Sequence, residues 1–236
     1  MPVQLFIPCF LDQRAPGVAL AVVKLMDRLG VAWEYPENQT CCGQFAWTVG
    51  DLQTSRRLAR HFRRVFGDAG AIVCPSASCA STVRRHYPEV AENPGEHWAF
   101  ATLAARTWEL SEWLAAQGPL PWTPRFAGTL VLHHSCKARQ LGVLAAASQV
   151  LGRVAGLRLA TVSPYYTCCG FGGTFKVQHP ELSRAMGEAY LEAVRGTGAA
   201  GLVSQDYSCL MHLRGLAAAR GWEMQFFHLA ELLVME

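Results

Sequence analysis

The chain has 236 residues, a formal net charge of +3, 51% hydrophobic residues and 17% charged residues. This composition excludes a disordered chain and predicts a buried core, in one large domain or in two of about 100–120 residues. The small charge argues against a nucleic-acid binder, and the apolar runs are far shorter than the roughly 18 residues of a transmembrane segment.

The first half of the chain predicts three buried strands separated by amphipathic helices. The strands are Val3–Pro8, Ala32–Tyr35 and Ala71–Cys74. One helix ends near Gly30 and a second spans Asp51–Phe66; the apolar face of the first carries Val18, Val22, Leu25, Met26 and Leu29. Short apolar runs are typical of buried parallel strands, and apolar residues three and four positions apart are typical of helices.

The second half repeats this order of elements. Its predicted strands are Thr129–His134, Arg158–Val162 and Gly201–Ser204. One predicted helix spans Pro180–Val194. Another carries Leu141, Leu144, Ser148 and Leu151 on one face. We expect an α/β fold with two pseudo-symmetric halves, residues 1–118 and 125–236, each with a small parallel sheet flanked by helices. The proline-rich segment 119–124 is the expected linker.

The nine cysteines are the most informative residues of the sequence. The first residues, Met1-Pro2-Val3-Gln4, lack the pattern of a secretion signal, which predicts a cytoplasmic protein with reduced thiols. Metal binding or redox chemistry is therefore expected rather than a framework of disulfides.

Eight of these cysteines form two copies of one spacing pattern. The offset is 127 residues for three pairs, Cys9 with Cys136, Cys41 with Cys168 and Cys42 with Cys169. It is 130 residues for Cys79 and Cys209. Each half contains one pair of adjacent cysteines followed by a glycine. The recurrence of this pair at the same offset as the other cysteines indicates an internal duplication.

Each set of four cysteines is predicted to form a metal site. The cysteines follow predicted strands, and the carboxyl ends of parallel strands meet at one edge of a sheet. Thiolates favour iron–sulfur clusters or zinc, and adjacent cysteines reach different irons of one cluster more readily than two corners of one zinc tetrahedron. The glycines of these loops let the backbone approach a cluster: Gly43, Gly170, Gly172 and Gly173.

Five further residues are candidates for an additional ligand or for a hydrogen bond to the metal site. They are Cys74, Asp206, His133, His134 and His212. Cys74 ends a predicted strand, so a buried core position explains it equally well. The histidines lie near Cys136 or Cys209, where packing or support of a ligand explains them as well as ligation does.

Six segments that span nearly the whole chain carry a family resemblance. They are Ile7-Pro8-Cys9, Cys41-Cys42-Gly43-Gln44, Pro75-Ser76-Ala77-Ser78-Cys79-Ala80, Glu109-Leu110-Ser111-Glu112-Trp113-Leu114, Cys168-Cys169-Gly170-Phe171-Gly172-Gly173-Thr174-Phe175 and Ser208-Cys209-Leu210-Met211-His212. In these segments the chain resembles the cysteine-rich domains of heterodisulfide reductase and of the glycolate oxidase iron–sulfur subunit. It is most similar to the lactate utilization protein A family.

The resemblance implies a cytoplasmic iron–sulfur protein that acts with two partner subunits in oxidising L-lactate to pyruvate. It also implies a [4Fe-4S]-type cluster at each repeat. The heterodisulfide reductase relatives use five cysteines per cluster and end in Cys-x-x-Cys. Here Ser76 and Asp206 stand where the first cysteine of that pair would be.

Three functions are compatible with these observations. The first is an electron-transfer subunit of a lactate-oxidising complex, with no catalytic residue assigned to this chain. The second is a zinc-stabilised binding or assembly module without redox activity. The third is a thiol–disulfide redox protein that uses the adjacent cysteines. No nucleic-acid partner is expected for any of them.

Overall fold

The computed structural model describes residues 1–163 and 168–236, which contain eight strands. The strands are β1 (Val3–Leu5), β2 (Trp33–Glu34), β3 (Ala71–Cys74), β4 (Thr107–Glu109), β5 (Arg125–His133), β6 (Ala155–Ala160), β7 (Gly201–Ser204) and β8 (Gln225–His228).

The strands form two parallel sheets with the same strand order. The first sheet is β2-β1-β3-β4 and the second is β6-β5-β7-β8, so each strand of one half has a counterpart in the other. The central strands bury apolar side chains on both faces, as Ile72 and Val73 do in β3 and Leu202 and Val203 do in β7. This pattern is typical of parallel sheets covered by helices. The predicted α/β fold of two repeated halves is confirmed.

Helices connect the strands. They are α1 (Cys9–Arg14), α2 (Pro16–Arg28), α3 (Gln44–Thr48), α4 (Leu52–Phe66), α5 (Ala77–Ser81), α6 (Tyr87–Glu89), α7 (Pro94–Arg106), α8 (Leu110–Ala116), α9 (Cys136–Leu141), α10 (Leu144–Leu151), α11 (Phe175–Gln178), α12 (Pro180–Gly196), α13 (Tyr207–Ala219) and α14 (Leu229–Leu233). A π-helical turn, Thr82–His86, joins α5 to α6.

Local sequence signals explain where the longer helices begin and which faces they bury. The carboxylate of Asp51 accepts a hydrogen bond from the Thr54 N–H at 2.9 Å and so caps α4. Helix α2 starts with Pro16, whose fixed φ suits the first helical turn. The buried face of α2 carries Val18, Ala21, Val22, Leu25 and Met26.

The structure differs from the sequence prediction in several elements. Strand β1 ends at Leu5 rather than at Pro8, and β5 begins at Arg125 rather than at Thr129. Strands β4 and β8 are absent from the prediction, and each adds an outer strand to its sheet. The helix expected around residues 141–151 is divided into α9 and α10, because Gly142 adopts a left-handed conformation with φ of 76°. Strand β6 begins at Ala155, three residues before the predicted start.

The two halves pack together through reciprocal contacts. Helix α2 packs on α14 and α8 on α10, while α1 packs on α13 and α5 on α9. One apolar core runs through both halves and includes Leu5 and Val73 from the first sheet with Leu130 and Val203 from the second. The segment 119–124 joins α8 to β5, and its role as the domain boundary stays a prediction. In the described residues, no helix combines the length and the apolarity needed to cross a membrane.

Candidate metal centre

All eight repeated cysteines line one cavity between the two halves, with a volume of about 230 Å³. Cys9 and Cys136 begin α1 and α9. Cys79 and Cys209 are each the third residue of a helix, α5 or α13. These helices follow the central strands of the two sheets, so the carboxyl ends of the strands deliver the sulfurs to one place, as parallel topology requires.

In the first half the four cysteines form a continuous group. The Sγ atoms of Cys42 and Cys79 lie 3.3 Å apart, and Cys41 forms side-chain hydrogen bonds with both Cys42 and Cys9. These bonds lower the pKa of Cys41 to about 3, and the N–H of Gly43 contributes a further hydrogen bond. The same bonds raise the pKa of Cys9 and of Cys42. The four thiols of the first half are therefore linked through their sulfur atoms.

In the second half the group is arranged similarly but is more open. The Sγ atoms of Cys169 and Cys209 lie 3.0 Å apart, and the hydrogen bond with Cys169 raises the pKa of Cys168. Cys136 is exposed, whereas its counterpart Cys9 is half-buried. The structure thus brings each predicted set together, and metal binding by these sets stays a prediction.

The glycine after each cysteine pair gives the loop its shape. Gly43 and Gly170 have φ of 84° and 82°, in the left-handed region that favours glycine. This conformation directs the N–H of Gly43 to Cys41 Sγ and the N–H of Gly170 to Cys168 Sγ, each at 3.4 Å. In the second half the N–H of Phe171 also approaches Cys169 Sγ, at 3.5 Å. Backbone donors therefore face the sulfurs in both halves.

The next two glycines shape the second loop and bring it to the first half. Gly172 and Gly173 also have positive φ, 54° and 64°. A Cβ at Gly172 would lie 2.6 Å from the Cβ of Phe175, so a side chain there would collide with α11. A Cβ at Gly173 would lie 3.5 Å from the ring of Phe45, which places this loop beside α3.

One of the three candidate histidines lies against the second cysteine group. His133 ends β5 and is 1% exposed. A ring nitrogen of His133 and the Sγ atoms of Cys169 and Cys209 all lie within 4.8 Å of one another. Neither ring nitrogen has a hydrogen-bond partner in residues 1–163 and 168–236. Burial lowers the pKa of His133 to about 3, so its imidazole is neutral.

The other two histidines do not join this group within the described residues. His212 lies on α13 and its Nε2 is 3.4 Å from the hydroxyl of Ser183. His134 is half-buried, and its backbone carbonyl accepts a hydrogen bond from Arg139. Burial lowers the pKa of both imidazoles.

Asp206 lines the cavity and connects the two halves there. It is 1% exposed. Its Oδ1 accepts hydrogen bonds from the Ser76 hydroxyl at 2.8 Å and the Ser78 N–H at 2.9 Å, and its Oδ2 accepts one from the Ser135 hydroxyl. The donors to this carboxylate among the described residues are serines, and a hydrogen bond from His133 is not formed. Asp206 and Ser76 occupy equivalent places in the two repeats.

Cys74 lies in the apolar core of the first half rather than along the cavity. Its thiol approaches the carbonyl oxygen of Ser76 at 3.5 Å. Burial raises the pKa of this thiol well above its ordinary value, which keeps the thiol protonated. These observations favour the core position that the sequence left open.

Sequence reasoning missed a second pair of equivalent residues at the interface, Glu109 and His228. Oε2 of Glu109 accepts hydrogen bonds from Gln205 Nε2 at 2.8 Å, from the Ser111 N–H at 2.9 Å and from the Ser111 hydroxyl. Burial raises the pKa of Glu109 to about 7. Each residue ends an outer strand and caps the helix that follows, α8 or α14.

His228 has the hydrogen bonds of a neutral imidazole. Its Nε2 lies 3.1 Å from the carbonyl oxygen of Pro75 and 3.2 Å from that of Gln205, so this nitrogen carries the proton. Its Nδ1 accepts a hydrogen bond from the Ala230 N–H at 3.2 Å. Burial lowers the pKa of His228 to about 4. The sequence contained a signal for both residues. Each is followed directly by a leucine and, three positions after itself, by a glutamate.

Comparisons with known proteins agree with this architecture. The family model of the CCG cysteine-rich domain matches residues 3–84 and 130–214, which contain all nine cysteines. "Lactate utilization protein A 2" from Bacillus cereus (strain 03BB102) is 35% identical over 236 residues, covering 99% of this chain and 98% of the relative. The chain belongs to the lactate utilization protein A family.

Further members of the lactate utilization protein A family match at similar levels. "Lactate utilization protein A 1" from Bacillus anthracis (strain CDC 684 / NRRL 3495) is 35% identical, covering 99% of this chain and 98% of the relative. "Lactate utilization protein A" from Macrococcus caseolyticus (strain JCSC5402) is 34% identical, covering 99% of this chain and 96% of the relative. The resemblance inferred from the cysteine segments is confirmed.

A solved structure shares the fold. The crystal structure of a hypothetical protein from Helicobacter pylori matches with a TM-score of 0.69 at 7% sequence identity. The match covers 100% of this chain and 49% of that one, so this chain spans about half the length of the solved chain. At this identity the match shows the fold alone.

Proposed function

We propose that this member of the lactate utilization protein A family is a cytoplasmic iron–sulfur subunit of a complex that oxidises L-lactate to pyruvate. In this proposal each cysteine set holds one [4Fe-4S]-type cluster. The ligands are Cys9, Cys41, Cys42 and Cys79 in the first half and Cys136, Cys168, Cys169 and Cys209 in the second. Such clusters, when bound, supply electron transfer.

The observation that carries the proposal is the meeting of both cysteine sets in one cavity. Eight thiols from six segments of the chain line the same space of about 230 Å³. Soft sulfur donors in such number fit iron–sulfur clusters or zinc and do not fit magnesium or calcium. The relatives' names place them in lactate utilization, which supports lactate as the electron source and other subunits as the partners.

The cysteine loops also contain groups that stabilise thiolates, the form of cysteine that binds metals. Ligation requires thiolates, and Cys41 already has a low pKa because Cys42 and Cys9 hydrogen-bond to it. The N–H groups of Gly43 and Gly170 face sulfur and stabilise the negative charge of a bound thiolate. The cavity also opens to both halves, so that both sites face the same occupant or partner.

The two alternative functions each have one supporting contact. A ring nitrogen of His133 lies within 4.8 Å of two cysteine sulfurs, a donor set that suits zinc. The thiol–disulfide function was expected of the adjacent cysteines; the pair whose 3.0 Å approach suits oxidation to a disulfide is instead Cys169 and Cys209. The experiment that tests the proposal separates all three functions.

That experiment is metal and sulfide analysis of the full chain purified without oxygen. We expect iron and acid-labile sulfide at roughly eight each per chain. Replacing Cys41 and Cys42 by serine, or Cys168 and Cys169 by serine, should remove about half of the iron. The matched control, Cys74→Ala, should retain all of it because Cys74 lies in the core.

Three outcomes contradict the proposal. A colourless protein with stoichiometric zinc supports the binding module. Thiol titration showing a disulfide in each half supports the thiol–disulfide protein. Clusters that lactate does not reduce when the partner subunits are present exclude the proposed role in lactate oxidation.

A further inference from the structure

The two halves differ at the position that precedes each first cysteine by three residues. The 127-residue offset pairs His133 with Phe6. Phe6 is fully buried, and its ring packs edge-on against Phe62 and Phe66, with centroids 4.9 and 5.7 Å away. His133 is buried equally well and packs edge-on against Tyr190 at 4.9 Å. The phenyl ring of Phe6 shows that an apolar aromatic side chain fits this position. In the second half the polar imidazole of His133 occupies it instead.

A buried imidazole without partners destabilises a folded chain, so its presence calls for a physical reason. Both ring nitrogens of His133 lack a hydrogen-bond partner in the described part of the chain. A ligand that binds one of these nitrogens would supply that partner. The groups facing it point to a metal, because the sulfurs of Cys169 and Cys209 are within 4.8 Å.

The distances suit ligands of one metal atom. With metal–nitrogen bonds of about 2.1 Å and metal–sulfur bonds of about 2.3 Å at tetrahedral angles, nitrogen and sulfur ligands lie about 3.6 Å apart. The three atoms lie within 4.8 Å of one another, so binding one metal would bring the nitrogen closer to the sulfurs by up to about 1.2 Å.

We propose that His133 is a metal ligand, which gives the second centre mixed nitrogen and sulfur ligation whereas the first has sulfur ligation alone. The inference rests on the proposed metal centres. In this proposal His133 takes the place of Cys136, the exposed cysteine of the second set, among the ligands of that centre.

The asymmetry has an electronic consequence. A neutral imidazole in place of a thiolate reduces the negative charge around the metal, and exchange of cysteine for histidine raises the reduction potential of an iron–sulfur centre. The second centre therefore has the higher potential of the two. In a redox titration it is reduced first.

Pulsed electron paramagnetic resonance of the reduced full chain, labelled with ¹⁵N-histidine and purified without oxygen, tests the proposal. We expect a nitrogen coupling of a directly bound imidazole. His133→Phe, which installs the residue of the first half, should abolish it. The matched controls His134→Gln and His212→Gln should retain it. A coupling that survives His133→Phe, or that disappears in either control, overturns the proposal.

A second variant tests the same proposal without the His133→Phe substitution. His133→Cys replaces the imidazole by a thiolate and should lower the potential of the second centre, while the potential of the first is unchanged. An unchanged potential of the second centre in this variant overturns the proposal, and so does absence of the nitrogen coupling from the wild-type protein.

A cobalt titration separates this inference from the proposed iron–sulfur function. Co²⁺ added to the metal-free full chain should give absorption bands of mixed nitrogen and sulfur ligation, and His133→Phe should shift them toward bands of sulfur ligation alone. If the purified chain contains no iron but this shift is observed, the iron–sulfur proposal fails and the ligand assignment stands. If iron and sulfide are present without a nitrogen coupling, the ligand assignment fails alone.

Discussion

Gly43 and Gly170 form a matched pair in which the effect of a single methyl group can be separated from backbone strain. Both adopt the left-handed conformation, with φ of 84° and 82°. Alanine in this conformation costs about 1–2 kcal/mol at either position. Their surroundings differ: a Cβ at Gly43 would lie 3.3 Å from Leu58 Cδ1, whereas a Cβ at Gly170 would lie 2.3 Å from the Ser183 carbonyl oxygen.

These distances predict different losses of stability. The Leu58 side chain can rotate away, so Gly43→Ala should lower the free energy of unfolding by about 1–2 kcal/mol. The Ser183 oxygen belongs to the backbone of α12, and a collision of this kind adds about 1–3 kcal/mol. Gly170→Ala should therefore cost about 2–5 kcal/mol.

Urea denaturation of the two variants beside the wild-type protein measures the difference. Backbone strain and the effect of alanine on the unfolded chain are common to both, so the difference isolates the collision with Ser183. Iron analysis should also show a larger loss in Gly170→Ala, because the displaced amide donates to Cys168. Equal destabilisation, or a greater loss for Gly43→Ala, refutes this reasoning.

Three further predictions concern the buried residues between the halves. Asp206→Asn should lower the free energy of unfolding by about 2–3 kcal/mol in urea denaturation, because it places an amide donor against serine donors; Ser78→Ala, which keeps the backbone N–H, should cost less, and equal losses would contradict this. Glu109 has a folded pKa of about 7, above its ordinary 4.5, so its contribution is present at low pH and is lost as the pH rises through 7. Relative to Glu109→Gln, the wild-type protein should lose up to about 3 kcal/mol between pH ~4 and ~8, and a difference independent of pH would exclude this origin. His228 has a folded pKa of about 4, below its ordinary 6.5, so its contribution is present above 6.5 and is lost as the pH falls through 4. Relative to His228→Gln, denaturation should show a loss of up to about 3 kcal/mol between pH ~7 and ~4, and a constant difference would rule this out.

The sequence predicts best the strands that consist almost entirely of apolar residues. Strands β3 and β7 have the predicted bounds, because runs such as Ala71-Ile72-Val73-Cys74 are buried on both faces. The outer strands β4 and β8 escaped prediction because they contain polar residues such as Glu109 and His228. Their pairing with a neighbouring strand, rather than their composition, makes them strands.

The sequence also predicted one part of the candidate site and not another. The spacing of eight cysteines indicated two sets and a shared edge of each sheet, but not that both sets face one cavity. That fact depends on how the halves pack. The sequence also left His133, His134 and His212 equivalent, since all three lie close to a cysteine along the chain. Only the direction of the side chain at the end of β5 distinguishes His133.

The residues between the halves show what a duplicated chain can do that two identical subunits cannot. At a twofold axis, equivalent positions of identical subunits face each other with the same side chain. Two aspartates at the positions of Ser76 and Asp206 would oppose two buried negative charges, and two serines would lack the anion that accepts from Ser78 and Ser135. The fused chain instead places a donor opposite an acceptor, with Ser76 Oγ 2.8 Å from Asp206 Oδ1. The exchange of Phe6 for His133 is a difference of the same kind, located beside a cysteine set. Divergence at such positions makes the surroundings of the two cysteine sets chemically unequal, while the strand order that delivers the cysteines stays the same.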